Sequence, residues 1–363
     1  MFSHRLDWRA RTNLLSRARA EKRGTVLDLT ESNPTRAGFT YPSAEILGAL
    51  ADPRALIYEP SPRGMVSARE AVARYYDGVA VERILLTAST SEAYSFLFQL
   101  LADAGDEILC PRPSYPLFEF LAGLAGVTIR QYPLRYDGRW HVDLDALRPS
   151  ITARTRAIVV VHPNNPTGSY LRADEIEALE MLGLPIISDE VFGPRTLAGE
   201  RRALTFSMSG LSKIAGLPQM KLGWIVASGP GWERAMDALE LIADTYLSVA
   251  TPVQLALPRL LECAKPVQAQ IAARTSANKA HLEGALAGSP ASPLRSEGGW
   301  YAVVQVPRTR SEEEWCLKLL RDHDVLVQPG FFFDFESEAF LVVSLLTEAA
   351  VFQEGVRRLR GIL

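Results

Sequence analysis

Between about residues 65 and 230, short apolar runs alternate with longer amphipathic stretches. The runs 84–87, 107–110, 127–132, 157–162, 185–189, 204–207 and 222–227 are bounded by Gly, Pro, Asp or Asn and read as buried strands. The stretches 91–101, 173–181 and 232–247 between them carry a helical period. That alternation predicts an α/β fold, a mostly parallel seven-stranded sheet sandwiched by helices. After Thr251-Pro252 the pattern changes to one long helix over 253–288, then strands at 298–306 and 340–345 around another helix. The expected division is a large α/β domain over 41–252 and a smaller α+β domain made of 1–40 plus 253–363. Residues 1–24 read either as an amphipathic helical arm, with Leu6, Leu14 and Leu15 as contacts to another element or a partner subunit, or as a disordered terminus.

Composition narrows the class. At 363 residues the chain exceeds the usual size of one domain. With 47% hydrophobic and 22% charged residues it can fill a large core. A net charge of −3 gives no attraction for nucleic acid or an anionic membrane, so neither is an expected partner. No run approaches the roughly 18 apolar residues of a membrane helix. The opening MFSHRLDWRARTNLL is too charged for a signal peptide. Cys110, Cys263 and Cys316 are far apart, and the histidines are equally dispersed, so neither a disulfide framework nor a metal site is expected. A soluble, cytoplasmic protein is the expectation.

In such a sheet, ligands collect beyond the carboxyl ends of the strands. Four of these ends are unusually polar. Ala88-Ser89-Thr90-Ser91-Glu92 opens a helix, where free N–H groups and hydroxyls suit a phosphate, or where a Ser simply caps the helix. Asn164 and Asn165 in Pro163-Asn164-Asn165-Pro166-Thr167-Gly168 serve a tight turn or bond a ligand. Asp189 ends an apolar strand, which costs desolvation unless a cation pairs with it. Lys213, in Ser209-Gly210-Leu211-Ser212-Lys213, follows the next strand, where desolvation can free an amine to attack a carbonyl.

In their order and spacing, and together with Glu31-Ser32-Asn33-Pro34 and Pro113-Ser114-Tyr115-Pro116, these motifs resemble the fold-type I pyridoxal-phosphate enzymes, the class I/II aminotransferases of the aspartate aminotransferase superfamily. The resemblance spans nearly the whole chain. It implies pyridoxal 5'-phosphate as cofactor, with Lys213 as the Schiff-base lysine and proton shuttle. It implies Asp189 as partner of the pyridinium nitrogen, Asn165 as donor to the phenolic oxygen O3′, and Tyr115 as the residue stacked on the ring. Ser89, Thr90 and Ser91 match the phosphate-cradling turn, and Ser212 lies beside Lys213. Tyr58, followed by Gly64 and Arg69, resembles the tyrosine that reaches the phosphate from a neighbouring subunit. A homodimer with shared active sites follows from that.

Several positions depart from the pattern. Phe192 stands where Asp-x-x-Tyr is usual, removing one hydrogen bond to O3′; Asn165 alone then serves that oxygen. Lys221 replaces an Arg that commonly grips the phosphate, and Gly210 replaces a Ser. Val342, two residues before Ser344, stands where the family carries the Arg that binds the substrate α-carboxylate. Losing that pair removes a contact worth roughly 1.5–3 kcal/mol. Asn33 and Arg36 lie in the segment that borders the substrate, and Arg36 is a candidate replacement, or a solvated surface residue. The leading reading is an aminotransferase that works by a ping-pong cycle between an amino donor and an oxo acceptor. A lyase or decarboxylase on the same scaffold is the alternative, and a non-catalytic pyridoxal-phosphate sensor the third reading.

Overall fold

The computed structural model describes residues 2–9 and 12–363. All seven apolar runs form strands: β1 (Ile84–Thr87), β2 (Glu107–Arg112), β3 (Thr128–Tyr136), β5 (Thr155–Val161), β6 (Ile186–Asp189), β7 (Thr205–Gly210) and β8 (Gly223–Ser228), joined by an eighth, β4 (Trp140–Val142). The order across the sheet is β1-β8-β7-β6-β5-β2-β3-β4. The expected count of seven is corrected to eight. Strand β3 runs on past Tyr132 to Tyr136, and the chain reverses through Asp137-Gly138-Arg139 with Gly138 at φ 99°. An Asp-Gly pair is a hairpin signal that the apolar count overlooked.

The sheet is mixed. Strands β7, β6, β5, β2 and β3 pair in parallel, while β8 runs against both β7 and β1 and β4 runs against β3. A parallel crossover needs a dozen or more residues with a full helix. The link 211–222 holds only the short helix Leu211–Ile214 and a 3₁₀ turn, so β8 turns straight back beside β7. Successive side chains of β5 go to opposite faces. Ala157, Val159 and Val161 pack with Leu97, Phe98 and Phe206, while Ile158 and Val160 pack with Leu109, Leu147 and Leu179. Both faces are therefore buried, as the near-continuous apolar runs required. Each such side chain contributes about 1.5–3 kcal/mol.

The helix Thr251–Leu286 leads into a four-stranded antiparallel sheet ordered Ser292–Pro293, Tyr301–Gln305, Phe340–Ser344, Gln328–Pro329. Helices Glu312–His323 and Ala349–Arg360 cover it, with Trp315, Leu319 and Phe352 in one core with Leu282, Leu341 and Val343. Leu15 and Ala18 of the N-terminal segment join that core.

Helix over 1–24 is corrected: among the described residues only Leu14–Glu21 is helical, because the Asn13 side chain caps it by accepting from the Ser16 N–H at 2.7 Å. The chain before it crosses the helix Phe118–Ala125, where Arg5 donates to the Leu124 carbonyl at 3.2 Å and Leu6 covers Gly123. Leu14 is left exposed. Residues 1, 10 and 11 of the expected arm lie outside the described residues.

The ladder aligns the strand ends that carry chemistry. Asp189 is level with Val161 on one side and Met208 on the other, while Gly223 is level with both Gly210 and Thr87. Glycine at 223 lets these strand ends approach closely. A Cβ would lie 3.0 Å from the Ser209 carbonyl oxygen and 3.2 Å from the Ser89 backbone.

Candidate active site

Lys213 sits on the single turn of helix after β7, its Nζ 5.2 Å from the centre of the Phe192 ring and 4.9 Å from that of Trp300. Burial lowers its pKa from the ordinary lysine value, and the Asp189 carboxylate opposes that effect. The amine faces a cleft of about 690 Å³, whose walls include Tyr75, Tyr170, Phe192, Ile271 and Trp300. It is a desolvated amine in a pocket large enough for a small molecule.

Asp189 is buried at the end of β6. Its Oδ2 accepts from the Tyr94 hydroxyl at 3.1 Å and its Oδ1 from the Val191 N–H at 3.4 Å. Burial pushes its carboxyl up to about 6, against the lowering effect of those donors and of Lys213. Such a carboxylate would be stabilised by a cation.

The next residue, Glu190, points into the protein instead. Its oxygens accept from Thr196, the Leu197 N–H at 2.8 Å and Ser207 at 2.9 Å. Burial pushes it up to about 7 from its ordinary 4.5. Between those pH values the folded protein holds a proton that the unfolded chain has released, so stability falls as pH rises through this window. The unfolding free energy of the wild type is expected to drop more steeply from pH 4.5 to 7 than that of Glu190→Gln, by an amount on the order of 3 kcal/mol read from denaturant curves. Parallel profiles would contradict this.

The two asparagines separate cleanly. The Asn164 amide donates to the Pro113 carbonyl at 3.0 Å and to Thr167 at 2.9 Å, and accepts from Ser114 at 3.1 Å. It is a structural clamp. Asn165 is buried, with an Oδ1 that has no partner among the described residues. Tyr115 follows Ser114, the partner of Asn164, and its hydroxyl is raised to about 12 by burial and then by Asp189 and Tyr301. Ser89 caps the helix Thr90–Leu101, its oxygen accepting from the Glu92 N–H at 3.2 Å, which leaves Thr90 and Ser91 at the helix entrance. Ser212, half-buried, adjoins Lys213, and Phe192 holds its ring against Trp300 at 5.3 Å.

Of the expected residues only Lys213 and Phe192 line this cleft. Lys221 is exposed with a left-handed backbone (φ 49°), two residues before the Gly223 that abuts Ser89. Tyr58 is 76% exposed on another face, beside Ser61, Phe96 and Ser248. Arg69 is tied to the Gly64 and Val81 carbonyls at 3.0 and 2.9 Å. The Asn33 side chain is spent on its own turn, accepting from the N–H and hydroxyl of Thr35. Arg36 is exposed. Val342 is fully buried.

Sequence reasoning missed Tyr94, the partner of Asp189. Its signal was a hydroxyl on the buried stripe of the helix that opens with Ser89. The ring of Trp300 also lies against the lysine.

The doubly covered sheet, with a half-buried lysine and a buried carboxylate at its strand ends, belongs to the α/β class, and the comparisons place its fold with that of aspartate aminotransferase. Solved structures agree on the fold. An aminotransferase from Escherichia coli matches with a TM-score of 0.85 at 24% identity, covering 100% of this chain and 98% of that one. A single mutant of Thermus thermophilus aspartate aminotransferase matches at 0.85 and 22%, covering 100% of both chains. The family model for aminotransferase class I and II matches residues 25–359, and the chain belongs to that family. Glutamate-pyruvate aminotransferase AlaA of Haemophilus influenzae is 27% identical over 376 residues, 95% of this chain and 92% of that protein. The protein of the same name from Escherichia coli K12 is 32% identical over 267 residues, 67% of this chain and 65% of that one. The chain is an aminotransferase, a member of a family that uses pyridoxal phosphate; the lyase reading is not favoured. No helix among the described residues is long and apolar enough to cross a membrane.

Proposed function

We propose that this aminotransferase holds pyridoxal 5'-phosphate on Lys213 and works as a homodimer in the cytoplasm. The observation that carries the reading is a desolvated amine near a buried carboxylate that forms no ion pair among the described residues. The unpartnered amide of Asn165 fits the same group: turned end for end, it offers an N–H to the phenolic oxygen. Ser89, Thr90 and Ser91 at a helix entrance, with Lys221 nearby, fit the phosphate.

When bound, the cofactor supplies a sink for the electron pair left at the donor's reacting carbon. Asp189, held by Tyr94 and Val191, would keep the ring nitrogen protonated. Tyr115 would stack on the ring. Lys213, whose pKa burial lowers, would be the group that carries a proton from the donor's reacting carbon to the neighbouring position. Phe192 and Trp300 keep water from the amine. Residues 41–252 serve as the cofactor-binding domain, with 1–40 and 253–363 as the domain that closes over it.

The dimer is supported by Tyr58 together with Leu56 and Ile57, which are 91% and 59% exposed in one protomer. A partner that covers this surface would bring Tyr58 to its neighbour's phosphate. Three free, buried cysteines suit a reducing compartment.

The test is a half-reaction. Cofactor-loaded protein given an amino donor alone should lose its visible cofactor absorbance and release one equivalent of oxo product. Turnover should need an oxo acceptor and give parallel double-reciprocal lines. Ammonia or carbon dioxide released with the absorbance unchanged would contradict the reading.

A further inference from the structure

Among the described residues that wall the Lys213 cleft, Arg195 is the only guanidinium and Glu297 the only acid. Glu297 is already paired, its Oε1 lying 2.9 Å from the Arg172 guanidinium. Arg195 has no ion-pair partner among the described residues; its guanidinium lies 4.3 Å over the centre of the Tyr170 ring. The N–H donors of a guanidinium point outward in its own plane, so stacking on an aromatic face uses none of them. Arg195 is exposed, and its donors stay free for a ligand.

The platform under it is fixed from both sides. Tyr170 is buried, and a Cβ on Gly298 would lie 2.9 Å from its hydroxyl oxygen, one on Gly193 closer still. Beyond Arg195, the Thr196 hydroxyl and the Leu197 N–H donate to the buried Glu190, which pins the segment. Gly193 follows Phe192 and Gly298 comes just before Gly299-Trp300, so this platform adjoins the two rings that flank the amine. Arg195 and Tyr170 form the next layer outward from Lys213. The charges agree with that spacing. Burial is the largest effect on the Tyr170 hydroxyl, which it raises, and on the His162 ring, which it lowers; Arg195 comes next and lowers both. Lys213 is shifted by burial and then by Asp189, with no effect from Arg195. Two other arginines stand elsewhere. Arg112 and Arg135 both pair with Glu336, and neither is part of the cleft wall, although Arg112 keeps a buried Nε without a partner.

We infer that Arg195 binds a carboxylate at the far end of the substrate, joined to the reacting carbon by a short apolar chain that passes Phe192 and Trp300. This rests on the aminotransferase reading above and names its substrate class: amino donors, and their oxo products, that carry a second carboxylate. A planar carboxylate meets the free edge of the guanidinium through two parallel hydrogen bonds. Tyr170 holds that edge in place, and Glu297 does not compete for it because Arg172 engages it.

The experiment compares donors that share the reacting end and differ at the far end: glutamate and 2-aminoadipate against glutamine and norvaline. Each is given to the cofactor-loaded protein, and kcat and KM are measured for release of the oxo product. In the wild type, kcat/KM should favour the better carboxylate-ended donor over glutamine and norvaline by roughly 10-fold. That is the low end for a charge-assisted pair, because the guanidinium is exposed. Arg195→Gln should bring this ratio close to one through a higher KM for the carboxylate-ended donors. Arg195→Lys, which keeps the charge without the planar fork, should restore part of it. Arg112→Gln should leave the ratio as it is. The inference is overturned, with the aminotransferase reading intact, by any of three results: no preference in the wild type, a preference that depends on Arg112 and not Arg195, or equal weakening of all four donors by Arg195→Gln. If no donor yields an oxo product, both fall.

Discussion

Lys213→Ala should lose turnover by roughly 10⁴-fold or more and leave the protein folded. The side chain supplies both the attachment point and the proton carrier, and general acid–base work alone is worth up to about that factor. It forms no ion pair among the described residues, and its ammonium form is disfavoured where it stands between Phe192 and Trp300. Its removal should therefore not lead to collapse. Circular dichroism and the release of oxo product by the same preparation check the two halves. Activity within tenfold of wild type would contradict the assignment.

The second large effect is expected at Asp189→Asn, with kcat lower by roughly 10²- to 10³-fold. An amide cannot hold a proton on the ring nitrogen, and breaking one side of a buried charged pair costs about 3–5 kcal/mol. Tyr94 can still bond to the amide oxygen, so the strand end should keep its position. If Asp189 were merely structural, Asn would be silent in the half-reaction and would lower only the melting point. Steady-state kinetics beside a thermal melt separates these outcomes.

Much of the fold was legible because both faces of the large sheet are covered. Burial on two sides forces continuous apolar runs such as Ile84–Thr87 and Thr155–Val161, and these stand out in a chain without other information. The hairpin strand Trp140–Val142 was not legible in that way. It lies at the sheet edge, where β3 alternates exposed and half-buried residues, and only Asp137-Gly138 marked the turn. The N-terminal helix was overextended because its true start depends on one capping side chain, Asn13, and not on periodicity.

At the site, the strand-end positions of Asp189 and Lys213 could be read directly, since ladder register brings such ends together. The division of labour between Asn164 and Asn165 could not. It depends on which amide finds Pro113, Thr167 and Ser114, and these contacts exist only in the folded chain. The same holds for Val342. In sequence it is a missing arginine; in the structure it is a fully buried side chain packed with Trp140, Leu294, Val303 and Phe333.

Borohydride reduction of the cofactor-loaded protein, followed by peptide mapping, bears most directly on the whole account. One reduced cofactor per chain should be fixed on the peptide that contains Lys213. Label on another lysine, the nearby Lys221 included, or no fixed label on a protein that binds the cofactor, would contradict it.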